Sequence, residues 1–344
     1  MVSFDLDSMF RLDAATVARE APVLEAEGFS AAWTTETPHD AYLPLAVAAA
    51  ATTTLRLGTG IATAFTRSPM VTATTAWDLQ RMSGGRFMLG LGTTVAAHNA
   101  RRFGTPVDRP GPRMRELVLL LRHIWGAFQG EHPLDFHGRF HDLDLLTPMH
   151  SPGPIEHPDI PIFIAAVGPY MYRLAGELAD GVHVHSFSTR AYLTERALPA
   201  LHEGLERAGR SRGSVSLTSS VFAVVGGDER MDRAVRSQLA FYGSTGSYRP
   251  IFEMHGWGDL TDRLKPFVRA GDIDGMVGCI TDDVLEEFAI VAPTWSEAIR
   301  RTEARYGGLL DRIGFYGLGG MDLAVDAPRI AQGHRDASAL AAAR

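Results

Sequence analysis

The chain has 344 residues, 45% of them hydrophobic and 21% charged, which is the composition of a globular protein rather than a disordered one. The formal net charge of −7 argues against a general nucleic-acid binder, and no apolar run approaches the length of a membrane span. The single cysteine, Cys279, excludes an intrachain disulfide and fits a reducing compartment. We therefore predict a cytoplasmic protein, and the strand-like run directly after Met1 leads us to expect no signal peptide.

Short apolar runs alternate with longer helical patterns along the chain. The runs that predict strands are residues 2–6, 30–34, 55–62, 86–91, 160–165, 181–185, 214–225 and 312–316. Helical periodicity lies between them, most clearly at about 112–128, where apolar side chains form one continuous stripe. Ser68 followed by Pro69 predicts a helix start, and Thr294 with Glu297 forms a capping box at another.

The strand runs are nearly all continuously apolar, which is typical of strands buried on both faces of a parallel sheet. Eight strands joined by helices favour a closed barrel over an open sheet. No G-x-G-x-x-G motif opens the first helix, which counts against a dinucleotide-binding domain. We predict one α/β domain over residues 1–344, a (β/α)8 TIM barrel with insertion segments after strands 4 and 7. These excursions cover about 131–158 and 243–293, and residues 243–270 are predicted to be irregular.

Several segments, taken in order, carry a family resemblance. They are Gly28-Phe29-Ser30-Ala31-Ala32-Trp33, Glu36 with His39-Asp40, Leu57-Gly58-Thr59-Gly60-Ile61, Arg67-Ser68-Pro69, Ser83-Gly84-Gly85-Arg86-Phe87-Met88-Leu89-Gly90-Leu91-Gly92, Ile160-Pro161-Ile162-Phe163-Ile164-Ala165-Ala166, Gly168-Pro169 and Ala179-Asp180-Gly181. Together they resemble the luciferase-like monooxygenase superfamily, specifically its coenzyme F420-dependent oxidoreductase branch, over most of the chain.

The resemblance implies a barrel in which the ring of coenzyme F420, a deazaflavin, lies across the carboxyl ends of the strands; the alternative cofactor is FMN. It also implies a non-proline cis peptide after strand three, which maps to Gly60-Ile61, and a homodimer. The function implied is hydride transfer between the deazaflavin C5 and a small organic substrate. Two alternatives stay open, an FMN-dependent monooxygenase of the same family and a non-catalytic homologue that binds a flavin or deazaflavin.

Glu36 and His39 lie just past strand two, on a loop at the end of the barrel where TIM-barrel active sites occur. We predict both to be catalytic, because hydride transfer needs a partner for the matching proton and imidazole titrates near neutral pH. The relatives usually place an acid beside the histidine, whereas this chain has Glu-x-x-His. The alternative is that Glu36 caps a loop and His39 begins a helix.

Loops after strands three and four are predicted to contact the coenzyme. Gly60 would let the backbone approach the ring closely, although a simple bulge is the alternative. The relatives often have a glutamate after strand four, and this chain has none between Gly92 and Asn99. The residues predicted to bind the cofactor in these two loops are Thr59, Gly60, Ile61, Gly92, Thr93 and His98.

The loop after strand five opens a helix, and the free amides and positive end of a helix suit a phosphate. Both candidate cofactors carry a phosphate. The residues predicted to bind it are Ala165, Ala166, Val167, Gly168 and Pro169, with an ordinary strand-to-helix turn as the alternative.

Three further features bear on function. The histidines between 132 and 157 lack the tight spacing of metal ligands, so no metal is predicted. An aldolase or sugar-phosphate isomerase barrel would need a catalytic lysine at a strand end, whereas Lys265 lies in the second excursion. Aromatic residues there, Tyr248 and Trp257, are predicted either to contact substrate or to pack the excursion onto the barrel. The predicted partner is a small-molecule substrate.

Overall fold

Eight parallel strands close into a barrel in the computed structural model, which describes residues 2–10, 13–317 and 323–342. The strands are β1 (Asp5–Met9), β2 (Ala31–Thr34), β3 (Arg56–Thr59), β4 (Phe87–Gly92), β5 (Ile162–Ala166), β6 (Gly181–Val184), β7 (Ser216–Val225) and β8 (Arg312–Phe315). Each strand pairs with the next, and β8 pairs with β1 to close the ring. The predicted (β/α)8 TIM barrel is therefore confirmed.

Two strands differ from their predicted positions. The first was expected at residues 2–6 but runs over Asp5–Met9, because the strand contains two buried polar residues, Asp7 and Ser8. The third was expected to reach residue 62, but β3 ends at Thr59 and a separate two-residue strand, Ala62–Thr63, pairs with β4. Both differences concern residues at the carboxyl face or just below it.

Helices surround the barrel and follow most of its strands. The α-helices of six or more residues are α1 (Ala14–Ala26), α2 (Leu43–Ala51), α3 (Pro69–Met82), α4 (Ala96–Arg101), α5 (Pro110–Gln129), α6 (Pro169–Leu178), α7 (Leu198–Arg207), α8 (Glu229–Gly243), α9 (Arg249–Met254), α10 (Leu260–Ala270), α11 (Ile273–Cys279), α12 (Asp282–Phe288), α13 (Trp295–Tyr306) and α14 (Leu323–Ala342). Both predicted caps are present: Ser68 accepts from the amide of Val71, and Thr294 accepts from the amide of Glu297.

The first excursion contains the short hairpin Phe136–His137 with Asp142–Leu143. Glu116, on α5, accepts hydrogen bonds from the amides of Arg139, Phe140 and His141, which explains how a hairpin this short is held against the barrel.

The second excursion is more regular than predicted. Residues 243–270 were expected to be irregular, yet α9 and α10 lie within them. Glycines at 243, 246, 256 and 258 obscured the pattern, but Leu260 and Leu264 are spaced one turn apart and are buried. An additional strand, Ala289–Ala292, then pairs with the outer part of β7. Within the described residues, no helix combines the length and the apolar character needed to span a membrane.

Candidate active site

A cavity of about 480 Å³ opens at the carboxyl ends of the barrel strands. Its volume falls in the range typical of small-molecule sites, and its position is the one that active sites of TIM barrels occupy. The lining combines apolar side chains such as Met9, Phe10 and Phe315 with hydroxyl groups from β7. The hydroxyl groups belong to Thr218, Ser219 and Ser220.

The floor of the cavity is formed by Trp33, from β2, and His183, from β6. Their rings meet edge to face with centroids 4.6 Å apart. Gly58 makes room for the indole, because a Cβ there would lie 2.4 Å from Trp33 Cζ3. A Cβ on Gly60 would lie 3.1 Å from both His183 Cε1 and Trp33 Cβ, so glycine lets the backbone rest directly on this floor.

A buried ion pair lies beneath the floor. The Asp7 carboxylate accepts two hydrogen bonds from the Arg312 guanidinium, at 2.6 and 3.0 Å, and one from Trp33 Nε1 at 2.8 Å. The side chains of Asp7 and Arg312 are 1% and 6% exposed. Sequence reasoning did not identify this group, which fixes the orientation of the indole that faces the cavity.

The peptide bond between Gly60 and Ile61 is cis, as the resemblance implied. The Gly60 amide donates to the carbonyl of Thr34 at 2.6 Å, and the Ile61 carbonyl accepts from the Glu36 amide at 3.1 Å. Ile61 packs over Gly92, where a Cβ would lie 2.6 Å from Ile61 Cδ1. The structure therefore brings Gly60, Ile61 and Gly92 together, with Gly60 and Ile61 in the cavity lining.

Thr59 is fully buried and acts between two strands rather than in the cavity. Its hydroxyl donates to the carbonyl of Gly90 at 2.7 Å and accepts from the Gly90 amide at 2.9 Å. These bonds replace ladder pairing where β3 bends away from β4.

Glu36 lines the cavity, but its carboxylate already has partners. Arg67 donates to both oxygens, at 2.6 and 3.0 Å, and the Thr63 amide donates at 2.7 Å. Arg67 also binds Asp40 at 2.5 Å, and hydrogen bonding to Glu36 raises the pKa of the guanidinium. His39 is exposed and lies outside the cavity lining, so the structure does not bring the two predicted catalytic residues together.

The loop after β4 contributes Thr94, whereas the prediction named Thr93 and His98. Thr94 has a positive φ of 46°, which turns the chain there. Asn99, on α4, is buried, and its side-chain amide donates to the Thr93 carbonyl at 2.9 Å. His98 is exposed, and the cavity lining includes neither His98 nor Thr93.

Ala165, near the end of β5, lies in the cavity lining, and the loop that follows the strand leads to the amino end of α6. Gly168 is the N-cap residue and Pro169 is the first helical residue. A Cβ on Gly168 would meet no atom within 4 Å, so the space beside this helix end is open. Ala166 is buried, and the Val167 carbonyl accepts from the Tyr192 hydroxyl at 2.8 Å.

One wall of the cavity consists of His185, Tyr242 and Tyr316, and the sequence analysis had placed neither tyrosine in the site. His185 accepts from the Phe187 amide at 3.0 Å and contacts the Tyr248 hydroxyl at 3.0 Å. The excursion thus does reach the barrel mouth: Tyr248 packs on His185, with ring centroids 4.7 Å apart. A usable signal existed for Tyr316, since it lies at the end of a predicted strand.

Among the described residues, no group of three His, Cys, Asp or Glu side chains is placed to hold a metal ion.

Residues 7–312 match the family model described as luciferase-like monooxygenase. The chain belongs to the luciferase-like monooxygenase family.

Relatives extend over nearly the whole chain. An uncharacterized protein of Mycobacterium tuberculosis is 43% identical over 90% of this chain and 92% of its own length. The 5,10-methylenetetrahydromethanopterin reductase of Methanopyrus kandleri is 27% identical over 84% of this chain and 85% of its own length.

Solved structures share the fold of this luciferase-like chain. That of the coenzyme F420-dependent tetrahydromethanopterin reductase from Methanopyrus kandleri has a TM-score of 0.79 at 24% identity, covering 96% of this chain and 97% of the other. A coenzyme F420-dependent secondary alcohol dehydrogenase gives 0.73 at 18% identity, covering 97% and 99%.

His183 and His185, which line the cavity, should make the free energy of unfolding of this family member depend on pH. Burial lowers the pKa of His185 to about 4 and that of His183 to about 3. The unfolded chain therefore binds more protons than the folded chain between pH 6.5 and 4, and the free energy of unfolding should fall as the pH drops through this window. Urea denaturation at several pH values measures the slope. His185→Gln should make it shallower; a slope equal to that of the unsubstituted chain would contradict the assignment.

Proposed function

We propose that this chain is a coenzyme F420-dependent oxidoreductase that transfers a hydride between the deazaflavin C5 and a small organic substrate. The observation that carries the proposal is the floor at the barrel mouth, where glycine at position 60 lets the backbone lie close to Trp33 and His183. The similarity to the methanopterin reductase adds support, because that protein covers most of this chain.

The residues present suit a flat ring with an anionic tail. Gly60 and Ile61 would support the ring from below, with Thr94 and Ala165 beside it. The open amino end of α6 at Gly168 would hold the phosphate through backbone amides. When bound, the coenzyme would donate or accept the hydride, which carries two electrons.

Glu36 lies in the cavity lining, and its ion pair with Arg67 would keep the β2 and β3 loops in register. Because the Glu36 carboxylate accepts three hydrogen bonds, we propose a positioning role for it. The proton-handling role of His39 stays a prediction, and it would require the exposed loop to approach the cavity.

The deciding experiment measures affinity for coenzyme F420 and for FMN by quenching of coenzyme fluorescence on the purified chain. We expect tighter binding of coenzyme F420. The family model favours one alternative, an FMN-dependent monooxygenase. Preference for FMN together with oxygen uptake would establish that alternative and reject the proposal. Binding without turnover over a broad panel of alcohols, aldehydes and ketones would identify a non-catalytic homologue.

Substitution of Gly168 tests the phosphate site. Gly168→Asp places a carboxylate beside the predicted phosphate, and repulsion should weaken coenzyme binding by roughly tenfold or more at low salt. Aspartate is a favoured N-cap residue, so the fold should keep its stability. Gly168→Ala is the matched control: its methyl group meets open space, so affinity should change little. Equal affinities in all three proteins would place the phosphate elsewhere.

A further inference from the structure

Three tyrosines contact His185 or one another at one wall of the cavity, and the proposed function leaves them unused. Tyr242 and Tyr316 line the cavity, and Tyr248 lies behind His185. Tyr316 directly follows β8, and its amide donates to the Val221 carbonyl at 2.8 Å. Its ring packs against Phe222 with centroids 5.1 Å apart. The barrel itself therefore fixes this phenol at a strand end, the usual origin of working residues in TIM barrels.

The hydrogen-bond partners of His185 determine which of its two ring nitrogens carries the hydrogen. The Phe187 amide donates to Nδ1 of His185, so this nitrogen carries a lone pair. A neutral imidazole then carries its hydrogen on Nε2, which donates to the Tyr248 oxygen at 3.0 Å. Burial, which lowers the pKa of His185 to about 4, keeps the ring neutral.

The two remaining tyrosines form a separate hydrogen bond. The hydroxyls of Tyr242 and Tyr316 lie 2.9 Å apart, and one must donate to the other. Burial raises the pKa of Tyr242, so its phenol keeps its hydrogen. Either hydroxyl can be the donor, and in one of the two arrangements Tyr242 donates to the Tyr316 oxygen. The single hydrogen of Tyr316 is then left for a group in the cavity.

We infer that Tyr316 donates its hydroxyl hydrogen to a substrate oxygen, so that the site takes small aldehydes and ketones. This inference rests on the proposed function. In the reduction, the C=O π bond breaks, the carbon gains the hydride that the reduced deazaflavin loses, and the oxygen gains the Tyr316 proton. The product is an alcohol, and the phenolate regains a proton from solvent.

The test uses the full chain without coenzyme and 4-(dimethylamino)cinnamaldehyde as the probe. The absorption of this aldehyde moves to longer wavelength when its oxygen accepts a hydrogen bond. We expect the unsubstituted chain to produce the shift. Tyr316→Phe keeps the ring that packs on Phe222 and should abolish most of the shift, with binding about 2- to 10-fold weaker.

Two further variants make the result specific. Tyr242→Phe should keep most of the shift, because Tyr316 retains its own hydrogen. Tyr306→Phe removes a buried phenol outside the cavity lining and should match the unsubstituted chain. The inference is overturned if the unsubstituted chain gives no shift, if Tyr316→Phe retains the full shift, or if the shift is lost with Tyr242→Phe alone. Coenzyme affinity is measured separately, so its failure would reject the proposed function without altering the aldehyde result.

Discussion

Replacing Asp7 with alanine is expected to lower the free energy of unfolding by about 3–5 kcal/mol, since it removes one partner of a buried ion pair. Arg312 would keep a guanidinium that is 6% exposed, but its two hydrogen bonds to the Asp7 carboxylate would no longer form. Trp33 Nε1 would lose its acceptor as well. The cost therefore includes a buried charge and a buried donor left without their carboxylate partner.

Asp5 provides the matched control. It binds the same guanidinium at 2.9 Å, but its side chain is 57% exposed. A pair of this kind contributes about 0.2–1 kcal/mol, so Asp5→Ala should be close to neutral. Urea denaturation of both variants, followed by circular dichroism, gives the comparison. If the two midpoints fall by the same amount, the buried pair does not have the importance assigned to it.

The same substitution connects stability to the site. The Asp7 carboxylate orients the Trp33 indole, and the indole forms part of the cavity floor. Asp7→Ala should therefore weaken coenzyme binding even at temperatures where the variant remains folded. Asp5→Ala should not, because the indole nitrogen donates its hydrogen to Asp7 and not to Asp5.

The barrel was predictable because its strands are apolar runs of similar length separated by helical patterns, and this regularity does not depend on distant contacts. β1 is the informative exception. Its central Asp7 is polar yet buried, and burial becomes favourable only through Arg312, which follows 305 residues later. A local pattern has no access to that partner, so the prediction placed the strand too early.

The candidate site also has parts that could be predicted from the sequence and parts that could not. Gly60, Ile61 and Ala165 line the cavity, and their predicted contact with the cofactor stays a prediction. The roles of the side chains were harder to predict, because the ion pair of Glu36 and Arg67 joins residues that lie 31 positions apart in the sequence. Tyr242 lies at the end of α8, where the glycines that follow concealed how the helix continues into the excursion.

Gly90→Ala should lower the free energy of unfolding about as much as Asp7→Ala does. A Cβ at this position would lie 1.8 Å from the Thr59 carbonyl oxygen and 2.6 Å from His183 Nε2. Overpacking of a core usually costs about 1–3 kcal/mol. We expect Gly90→Ala to reach at least the upper end of that range, because the atom in the way belongs to the backbone of β3 and cannot rotate aside.

Relief of this clash would also deform the cavity. Moving β3 away from β4 breaks the two hydrogen bonds between Thr59 and Gly90, and it shifts the adjoining Gly60. Gly90→Ala should therefore lose coenzyme affinity together with stability. Gly278→Ala is the control, because its Cβ meets no atom within 4 Å and alanine favours helix over glycine by about 1 kcal/mol. Denaturation and coenzyme titration of both variants give the answer: a Gly90→Ala chain as stable as the Gly278→Ala chain would mean that the two strands are not packed as closely as the structure has them.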